Sequence, residues 1–195
     1  MSDSCQKNKH RIRRDLLELR ELLDANKARD NSIRIQDRLT AMQEYQSGKI
    51  IGSYAPIGME VETWKIMHHA LANKKTLGLP KIEENGSLSF YAIEETDLND
   101  NLVESSRFKL KEPKALEERL IEKLDLLIIP GIAFDTHGYR VGHGFGYYDR
   151  YMAQKTYTKS VGLAYDFQIL DYNVPRFSYD RKLDILVTEN RTVYC

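Results

Sequence analysis

The spacing of hydrophobic residues along the chain switches repeatedly between a helical and a strand-like period. In residues 9–23, aliphatic side chains recur every three or four positions with Arg and Glu between them, which predicts an amphipathic helix. Its apolar stripe consists of Ile12, Leu16, Leu19 and Leu23. Four further helices are predicted over residues 30–47, 60–73, 114–123 and 146–154.

Short apolar or alternating runs between these segments predict strands. They cover residues 49–55, 76–79, 87–93, 125–129, 160–165 and 183–188. The run 125–129, DLLII, is apolar after its first residue, which is typical of a strand buried on both faces of a parallel sheet. Residues 94–113 are polar and irregular, so they are predicted to form a loop.

The alternation of strands and helices predicts an α/β fold, a single-domain layered structure with a central, mostly parallel sheet flanked by helices. No repeat, low-complexity tract or linker divides the 195 residues, so one domain is predicted over 1–195.

Charge and composition narrow the class of protein. The 29 Lys and Arg residues balance the 29 Asp and Glu residues, whereas a nucleic-acid or membrane-surface binder usually carries a basic excess. No apolar run approaches the ~18 residues of a membrane span, and the N-terminus lacks the apolar stretch of a secretory signal. Cys5 and Cys195 are too few for a disulfide framework. A cytoplasmic protein with free thiols is expected.

A glycine-rich segment follows the buried strand. Residues 130–151 read PGIAFDTHGYRVGHGFGYYDRY, with Gly142, Gly144 and Gly146 at every second position. Glycines allow positive φ and close approach of a ligand, and successive N–H groups can form an anion-binding nest. Ligands of open α/β sheets bind outside the carboxyl ends of the strands, where this segment is predicted to lie. It matches neither the Rossmann GxGxxG nor the P-loop motif.

Three glycines alone are equally consistent with a surface turn. The neighbouring residues favour a phosphate site, because Arg140 precedes the glycines and Tyr147, Tyr148 and Asp149 follow them. A cation for phosphate, aromatic rings and a carboxylate able to hold Mg²⁺ therefore lie within ten residues.

Other candidate residues are more ambiguous. Lys9 and Arg13 share a helix face, as a clamp for phosphates or as a solvated basic face. Glu60 would either hydrogen-bond a polar substrate head or favour the start of a helix through its charge. Asp184 lies beside the apolar run DILVT, either exposed at a strand start or holding a metal, and Asp180 competes for the second role.

Taken together, these motifs resemble those of a known family. PGIAFD at 130–135, the glycines and the GYYD at 146–149 resemble PG-x-AFD-x-x-G-x-RLG-x-G-x-GYYD, the signature of the 5-formyltetrahydrofolate cyclo-ligase (5,10-methenyltetrahydrofolate synthetase) family. The resemblance covers about residues 9–189. It includes Lys9, Arg13, Arg20, residues 60–63, 79–80 and 112–113, Gln168 and residues 184–189.

The resemblance implies an ATP- and Mg²⁺-dependent conversion of 5-formyltetrahydrofolate to 5,10-methenyltetrahydrofolate, with release of ADP and phosphate. ATP would phosphorylate the formyl oxygen, N10 of the folate would attack the formyl carbon, and phosphate would leave. The helix at about 9–23 would contribute to the nucleotide site. Partners would be ATP and 5-formyltetrahydrofolate, without nucleic acid or membrane, and the protein would be a monomer or weak homo-oligomer.

The resemblance also implies residue roles. Arg140 and Tyr148 would be catalytic, and Asp149 and Asp184 would hold Mg²⁺. The implied ATP-binding residues are Lys9, Arg13, Arg140, Val141, Gly142, His143, Gly144, Phe145, Gly146, Tyr147 and Tyr148. The implied folate-binding residues are Ala55, Glu60, His143, Gly144, Phe145, Gly146 and Tyr147.

This chain departs from the signature within the loop. Val141 stands where Leu is usual, and His143 and Phe145 occupy its variable positions. Because Phe145 carries no charge, electrostatic contact with phosphate falls to Arg140 and the backbone. Two alternatives remain: a relative that keeps the nucleotide site but acts on another substrate or only binds folate, and a nucleic-acid-binding module that uses the basic N-terminus.

Overall fold

The predicted N-terminal helix is present and begins earlier than expected. The computed structural model describes residues 2–98, 102–104 and 111–195, and its first helix, α1, spans Ser2–Glu21. Ile12 and Leu16 of the apolar stripe are buried, whereas Leu19 is 52% exposed. The helix therefore buries only part of the predicted face.

The predicted helix over 30–47 is two helices. α2 spans Ala25–Ala41, and the Asp24 carboxylate caps it by accepting from the Lys27 N–H at 3.0 Å. The chain is extended at Met42 and re-enters a helix as α3, Gln43–Ser47. The remaining α-helices are α4, Trp64–Ala72, and α5, Tyr147–Ala153.

Thirteen strands are found within the described ranges. They are β1 Ile50–Gly52, β2 Thr76–Ile82, β3 Leu88–Ile93, β4 Val103–Glu104, β5 Lys111–Glu112, β6 Leu120–Ile121, β7 Leu124–Ile129, β8 Ala133–Asp135, β9 Arg140–Val141, β10 Tyr157–Leu163, β11 Ile169–Leu170, β12 Ile185–Val187 and β13 Thr192–Tyr194.

Eight of these strands form the central sheet in the order β13-β12-β10-β7-β1-β2-β3-β6. The five strands from β12 to β2 run parallel, and the outer strands, β13 on one side and β3 and β6 on the other, pair antiparallel to their neighbours. A small sheet, β11-β8-β9, and the β4–β5 pair lie apart from it. The predicted α/β fold with a mostly parallel central sheet is confirmed.

The central strand β7 shows why the sheet is buried on both faces. Leu126 and Ile128 pack in a cluster with side chains of α2 and α4, whereas Leu127 and Ile129 pack in a second cluster with α5. Successive side chains of a strand point to opposite faces, so a continuous apolar run satisfies both layers. Helices therefore flank the sheet, as the predicted architecture requires.

Two further predicted elements differ from the structure. Residues 114–123 are not an α-helix: a 3₁₀ turn at Glu117–Arg119 leads into β6, which extends the sheet beyond β3. β2 also continues through Pro80 to Ile82. Pro80 tolerates this position because β1 pairs only with the first part of β2, so the missing proline N–H interrupts no ladder there.

The predicted irregular segment 94–113 falls partly outside the described residues, which omit 99–101 and 105–110. Its described part is not all loop, because it contains the antiparallel β4–β5 pair. In the part of the chain that is described, no helix is long and apolar enough to cross a membrane.

Candidate active site

A cavity of about 600 Å³ opens at the carboxyl ends of the central parallel strands. Its floor is formed by residues that follow or end three of these strands: Tyr54 and Ala55 after β1, Pro80 and Ile82 in β2, and Pro130 and Gly131 after β7. This is the edge at which open α/β sheets bind ligands. Residues 6–13 of α1, the glycine-rich loop and the turn at residues 177–180 also contribute to the wall.

The glycine-rich loop connects β9 to α5 and faces α1. Gly144 and Gly146 have φ values of +103° and +68°, which side chains other than glycine rarely adopt. Arg13 of α1 donates from Nε to the carbonyl oxygen of Gly142 at 2.8 Å. A cation is therefore attached directly to the backbone of the loop.

Lys9 lies one helical turn before Arg13 on the same face of α1. Its ammonium is 2.5 Å from Oδ2 of Asp180 and 5.0 Å from the centroid of the Phe177 ring. Both α1 cations line the cavity. Lys9 and Arg13 are therefore part of the cavity wall, and their role as a phosphate clamp stays a prediction.

Arg140 and Asp149 are adjacent in the wall. Nη1 of the buried Arg140 lies 3.3 Å from Oδ1 of Asp149 and donates to the Arg181 carbonyl oxygen at 3.2 Å. The Arg181 N–H donates to the same Asp149 oxygen at 2.9 Å. The described contacts of the Asp149 carboxylate therefore all use Oδ1.

Tyr148 lies in the first turn of α5. Burial, and secondarily the neighbouring Glu60 carboxylate, raise the pKa of its phenol, while Arg140 opposes the shift. A phenol with a raised pKa is neutral at physiological pH, so Tyr148 is suited to donate a hydrogen bond rather than to accept a proton as a phenolate.

Glu60 presents a buried carboxylate to the other side of the cavity. Oε2 accepts from the Ile57 N–H at 3.1 Å, and Oε1 lies 3.4 Å from Nε2 of His143 in the loop. The nearby Tyr54 phenol has a pKa well above its ordinary value, first through burial and then through Glu60. Because α4 begins only at Trp64, Glu60 belongs to the preceding turn rather than to the start of that helix.

Most of the predicted site residues are brought together here. Those that line the cavity are Lys9, Arg13, Ala55, Glu60, Arg140, Gly142, His143, Gly144, Phe145, Gly146, Tyr147, Tyr148 and Asp149. Phe145 is 52% exposed, and its ring stacks on Tyr147 with 5.8 Å between centroids.

Val141 is an exception. Its side chain is 1% exposed and packs with Ile12 and Leu16 of α1 in a small hydrophobic cluster. Side chains alternate along β9, so that Arg140 reaches the cavity and Val141 points away from it. Val141 supports the position of α1 rather than contributing a side chain to the site.

Asp184, which the resemblance implies as a Mg²⁺ ligand, also lies outside the cavity wall. It precedes β12, at the amino end of that strand, and it is not among the cavity residues. Its Oδ2 accepts from the N–H and hydroxyl of Ser160 at 2.8 and 2.7 Å, and its Oδ1 lies 3.7 Å from Nζ of Lys159. Asp180, the competing candidate, lines the cavity instead.

The donor set is compatible with Mg²⁺ only if substrate supplies further oxygens. Over residues 2–98, 102–104 and 111–195, no three His, Cys, Asp or Glu side chains are grouped to hold a metal. Mg²⁺ in phosphoryl-transfer sites is commonly held by one or two carboxylates, waters and phosphate oxygens. Asp149, with Oδ2 outside its described contacts, fits that pattern.

Several wall residues were not predicted as site residues. Gln6 and His10 of α1 share the helix face of Lys9 and Arg13, so their helical spacing was a usable signal. Tyr54, Phe177 and Tyr179 gave no such signal. Tyr54 precedes Ala55 in an extended segment, and residues 177–180 reach the cavity only through tertiary packing.

Fold and cavity define an α/β protein with a cationic, glycine-lined site at the carboxyl edge of its sheet. The sequence profile of the 5-formyltetrahydrofolate cyclo-ligase family matches residues 5–189. The chain therefore belongs to the 5-formyltetrahydrofolate cyclo-ligase family.

Individual relatives agree with this assignment. The NMR structure of 5,10-methenyltetrahydrofolate synthetase from Aquifex aeolicus superimposes with a TM-score of 0.81 at 32% identity, covering 95% of this chain and 92% of that one. A 5-formyltetrahydrofolate cyclo-ligase of Haemophilus influenzae is 29% identical over 185 residues, 92% of this chain and 97% of the relative. A probable 5-formyltetrahydrofolate cyclo-ligase of Caenorhabditis elegans is 28% identical over 167 residues, 80% and 81% of the two chains.

Proposed function

We propose that this protein converts 5-formyltetrahydrofolate to 5,10-methenyltetrahydrofolate at the expense of ATP, with release of ADP and phosphate. The observation that carries the proposal is one cavity with two chemically distinct sides. Lys9, Arg13 and Arg140 provide cations beside the glycine-rich loop, and the buried Glu60 provides a hydrogen-bond acceptor facing it. The names of the relatives give the same substrate and product.

The cationic side is proposed to bind the triphosphate. Arg13 is already attached to the loop through Gly142, and glycine N–H groups can approach phosphate oxygens closely. Arg140 is buried, so its charge acts on the γ-phosphate with little screening by water. The protein's contribution to the phosphoryl step is then positioning and charge stabilisation.

The formyl group is proposed to lie between Glu60 and the loop. The formyl oxygen attacks the γ-phosphorus and ADP leaves; N10 then attacks the formyl carbon, and the carbon–oxygen bond breaks as phosphate departs with the N10 proton lost. Tyr148, with its neutral phenol, and Arg140 are suited to stabilise the charge that develops on the transferred phosphoryl group. His143 belongs to the glycine-rich loop and its Nε2 lies 3.4 Å from Oε1 of Glu60, so it connects the cationic side of the cavity to the Glu60 side.

Mg²⁺ would be held by Asp149 together with water and phosphate oxygens, where it would neutralise charge on the transferred phosphate. The adjacent Arg140 orients the Asp149 carboxylate by ion pairing, and the Arg181 N–H fixes the same oxygen. Both contacts use Oδ1, and Oδ2 is the oxygen proposed to contact the metal.

A relative that only binds folate is the competing proposal. The test is spectrophotometric: purified protein with 5-formyltetrahydrofolate, in which ATP and Mg²⁺ are omitted in turn and methenylfolate absorbance is followed. Absorbance growth only in the complete mixture supports the enzyme. Folate binding by well-folded protein without turnover supports the competing proposal.

A further inference from the structure

We propose that Asp180 is a positioning residue, which holds the ammonium of Lys9 at the cavity wall in the place where it meets nucleotide phosphate. This inference rests on the proposed function for the identity of the nucleotide. It assigns a role to a residue that lies 171 positions from Lys9 in the chain.

The turn at residues 177–180 holds the Asp180 carboxylate in place. The Asp180 N–H donates to the Phe177 carbonyl oxygen at 3.1 Å, and the Phe177 N–H donates to Oδ2 of Asp180 at 2.6 Å. The same Oδ2 is 2.5 Å from Nζ of Lys9. Backbone and side chain of one short turn therefore fix the acceptor that Lys9 contacts.

The Phe177 ring adds a second contact to the ammonium. Its centroid lies 5.0 Å from Nζ of Lys9, within the range of a cation–π interaction, and Tyr179 stacks on the same ring with 5.1 Å between centroids. Lys9 is thus held by a carboxylate and an aromatic face from the same turn.

Burial distinguishes this ion pair from a surface pair. The side chains of Lys9 and Asp180 are 12% and 9% exposed. The Lys65–Asp37 pair on the surface is 50% and 53% exposed, and such pairs contribute little to stability. In the cavity wall, loss of one partner leaves the other desolvated without a counter-charge.

Holding Lys9 matters because lysine is a flexible point charge. Its four-carbon stem samples many rotamers, and fixing it before the ligand arrives removes that ordering cost from binding. An ammonium has three N–H donors, so contact with one carboxylate leaves two for phosphate oxygens. Arg13 is held in a comparable way by the Gly142 carbonyl oxygen, so two elements set both α1 cations in advance.

The test is a double-mutant cycle on phosphate binding. Asp180→Asn keeps an amide oxygen for the Phe177 N–H but removes the charge that holds Lys9. We expect the Kd values of ATP and of inorganic tripolyphosphate, measured by calorimetry, to rise about five- to tenfold, the range of coupling between residues in contact. The KM for ATP should rise equally, with kcat and the KM for 5-formyltetrahydrofolate changed less than about twofold.

In a Lys9→Met background, Asp180→Asn should change the Kd values of ATP and tripolyphosphate less than about twofold.

Asp37→Asn is the matched control, because it removes the charge of a surface Asp–Lys pair that lies outside the cavity. It should leave phosphate binding unchanged. If Asp180→Asn fails to fold, Asp180→Glu keeps the charge and displaces it by one methylene, and should give an intermediate loss of affinity.

Three results would overturn the inference. Asp180→Asn could weaken phosphate binding equally with and without Lys9, or it could tighten phosphate binding. The third is phosphate binding that is unaltered in Asp180→Glu. If wild-type protein binds tripolyphosphate but forms no methenylfolate, the proposed function is contradicted. The double-mutant cycle then still tests the role of Asp180. Wild-type protein that binds neither phosphate ligand would overturn the inference itself.

Discussion

Nη1 of Arg140 lies 3.3 Å from Oδ1 of Asp149, at the wall of a cavity that both residues line. Arg140 is the first residue of β9 in the small sheet, and Asp149 lies in the first turn of α5, so the glycine-rich loop between them brings a cation and a carboxylate side by side. In the proposed reaction, Arg140 acts on the transferred phosphate and Asp149 on the metal.

Asp149→Asn is therefore expected to lower turnover strongly while preserving the fold. The amide oxygen still accepts from the Arg181 N–H, but the charge for Mg²⁺ is lost. We expect kcat to fall by about 100-fold or more, in the range seen for loss of one electrostatic contact in a transition state. Steady-state assays over a Mg²⁺ titration, with a thermal melt of the same preparation, measure both effects.

Asp184→Asn is the informative comparison for the metal. Because the Asp184 carboxylate accepts two hydrogen bonds from Ser160 and is not among the cavity residues, we expect a much smaller loss of turnover than in Asp149→Asn. An equal loss, accompanied by the same rise in the Mg²⁺ requirement, would show that Asp184 reaches the metal after all.

Glu60→Gln tests the folate side. Removing the charge from a buried acceptor weakens a charge-assisted hydrogen bond, and we expect the KM for 5-formyltetrahydrofolate to rise about tenfold. ATP affinity should change little, because Lys9 and Arg13 do not depend on Glu60. The control is Glu62→Gln, two positions along the chain and outside the cavity wall, which should leave both constants unchanged.

The loop glycines provide a matched pair. At Gly144, φ is +103° and an added Cβ would lie 3.3 Å from Nη2 of Arg13, so Gly144→Ala is expected to cost about 1–3 kcal/mol of stability and to displace Arg13. An added Cβ at Gly142 would meet nothing within 4 Å. Denaturant unfolding and ATP binding should therefore be impaired in Gly144→Ala and nearly normal in Gly142→Ala.

The fold could be predicted where burial restricts a segment to apolar residues. β7 was recognised because a strand covered on both faces must be apolar at successive positions. β8, β9 and β11 span only two or three residues, too few to show a period. β6 was mistaken for helix because its strand conformation comes from pairing with β3, which no local pattern encodes.

The site was predictable where its members are neighbours in sequence or share a helix face. Arg140, Tyr148 and Asp149 surround the glycines, and Lys9 and Arg13 are one turn apart. The choice between Asp180 and Asp184 was not predictable, since four positions separate them and only the path of the chain into β12 decides which one faces the cavity.

The partly buried Tyr148 predicts a pH dependence of stability. Its pKa is raised in the folded state, so its contribution is fully present below the unfolded tyrosine pKa of about 10 and is lost as pH rises from there toward the folded pKa. The free energy of unfolding should fall more steeply above pH ~10 in the wild type than in Tyr148→Phe. Urea unfolding at several pH values measures the slopes, and Tyr194→Phe, at a side chain that is 67% exposed, is the control. Equal slopes in wild type and Tyr148→Phe would contradict the raised pKa of the Tyr148 phenol.

The most direct test of the central claim is the stoichiometry of the complete reaction. Wild-type protein with 5-formyltetrahydrofolate, ATP and Mg²⁺ should form methenylfolate with one ADP and one phosphate released for each molecule of product, and should form none when ATP is withheld. Methenylfolate formed without ATP, or ATP hydrolysed without methenylfolate, would contradict an ATP-dependent ring closure in this cavity.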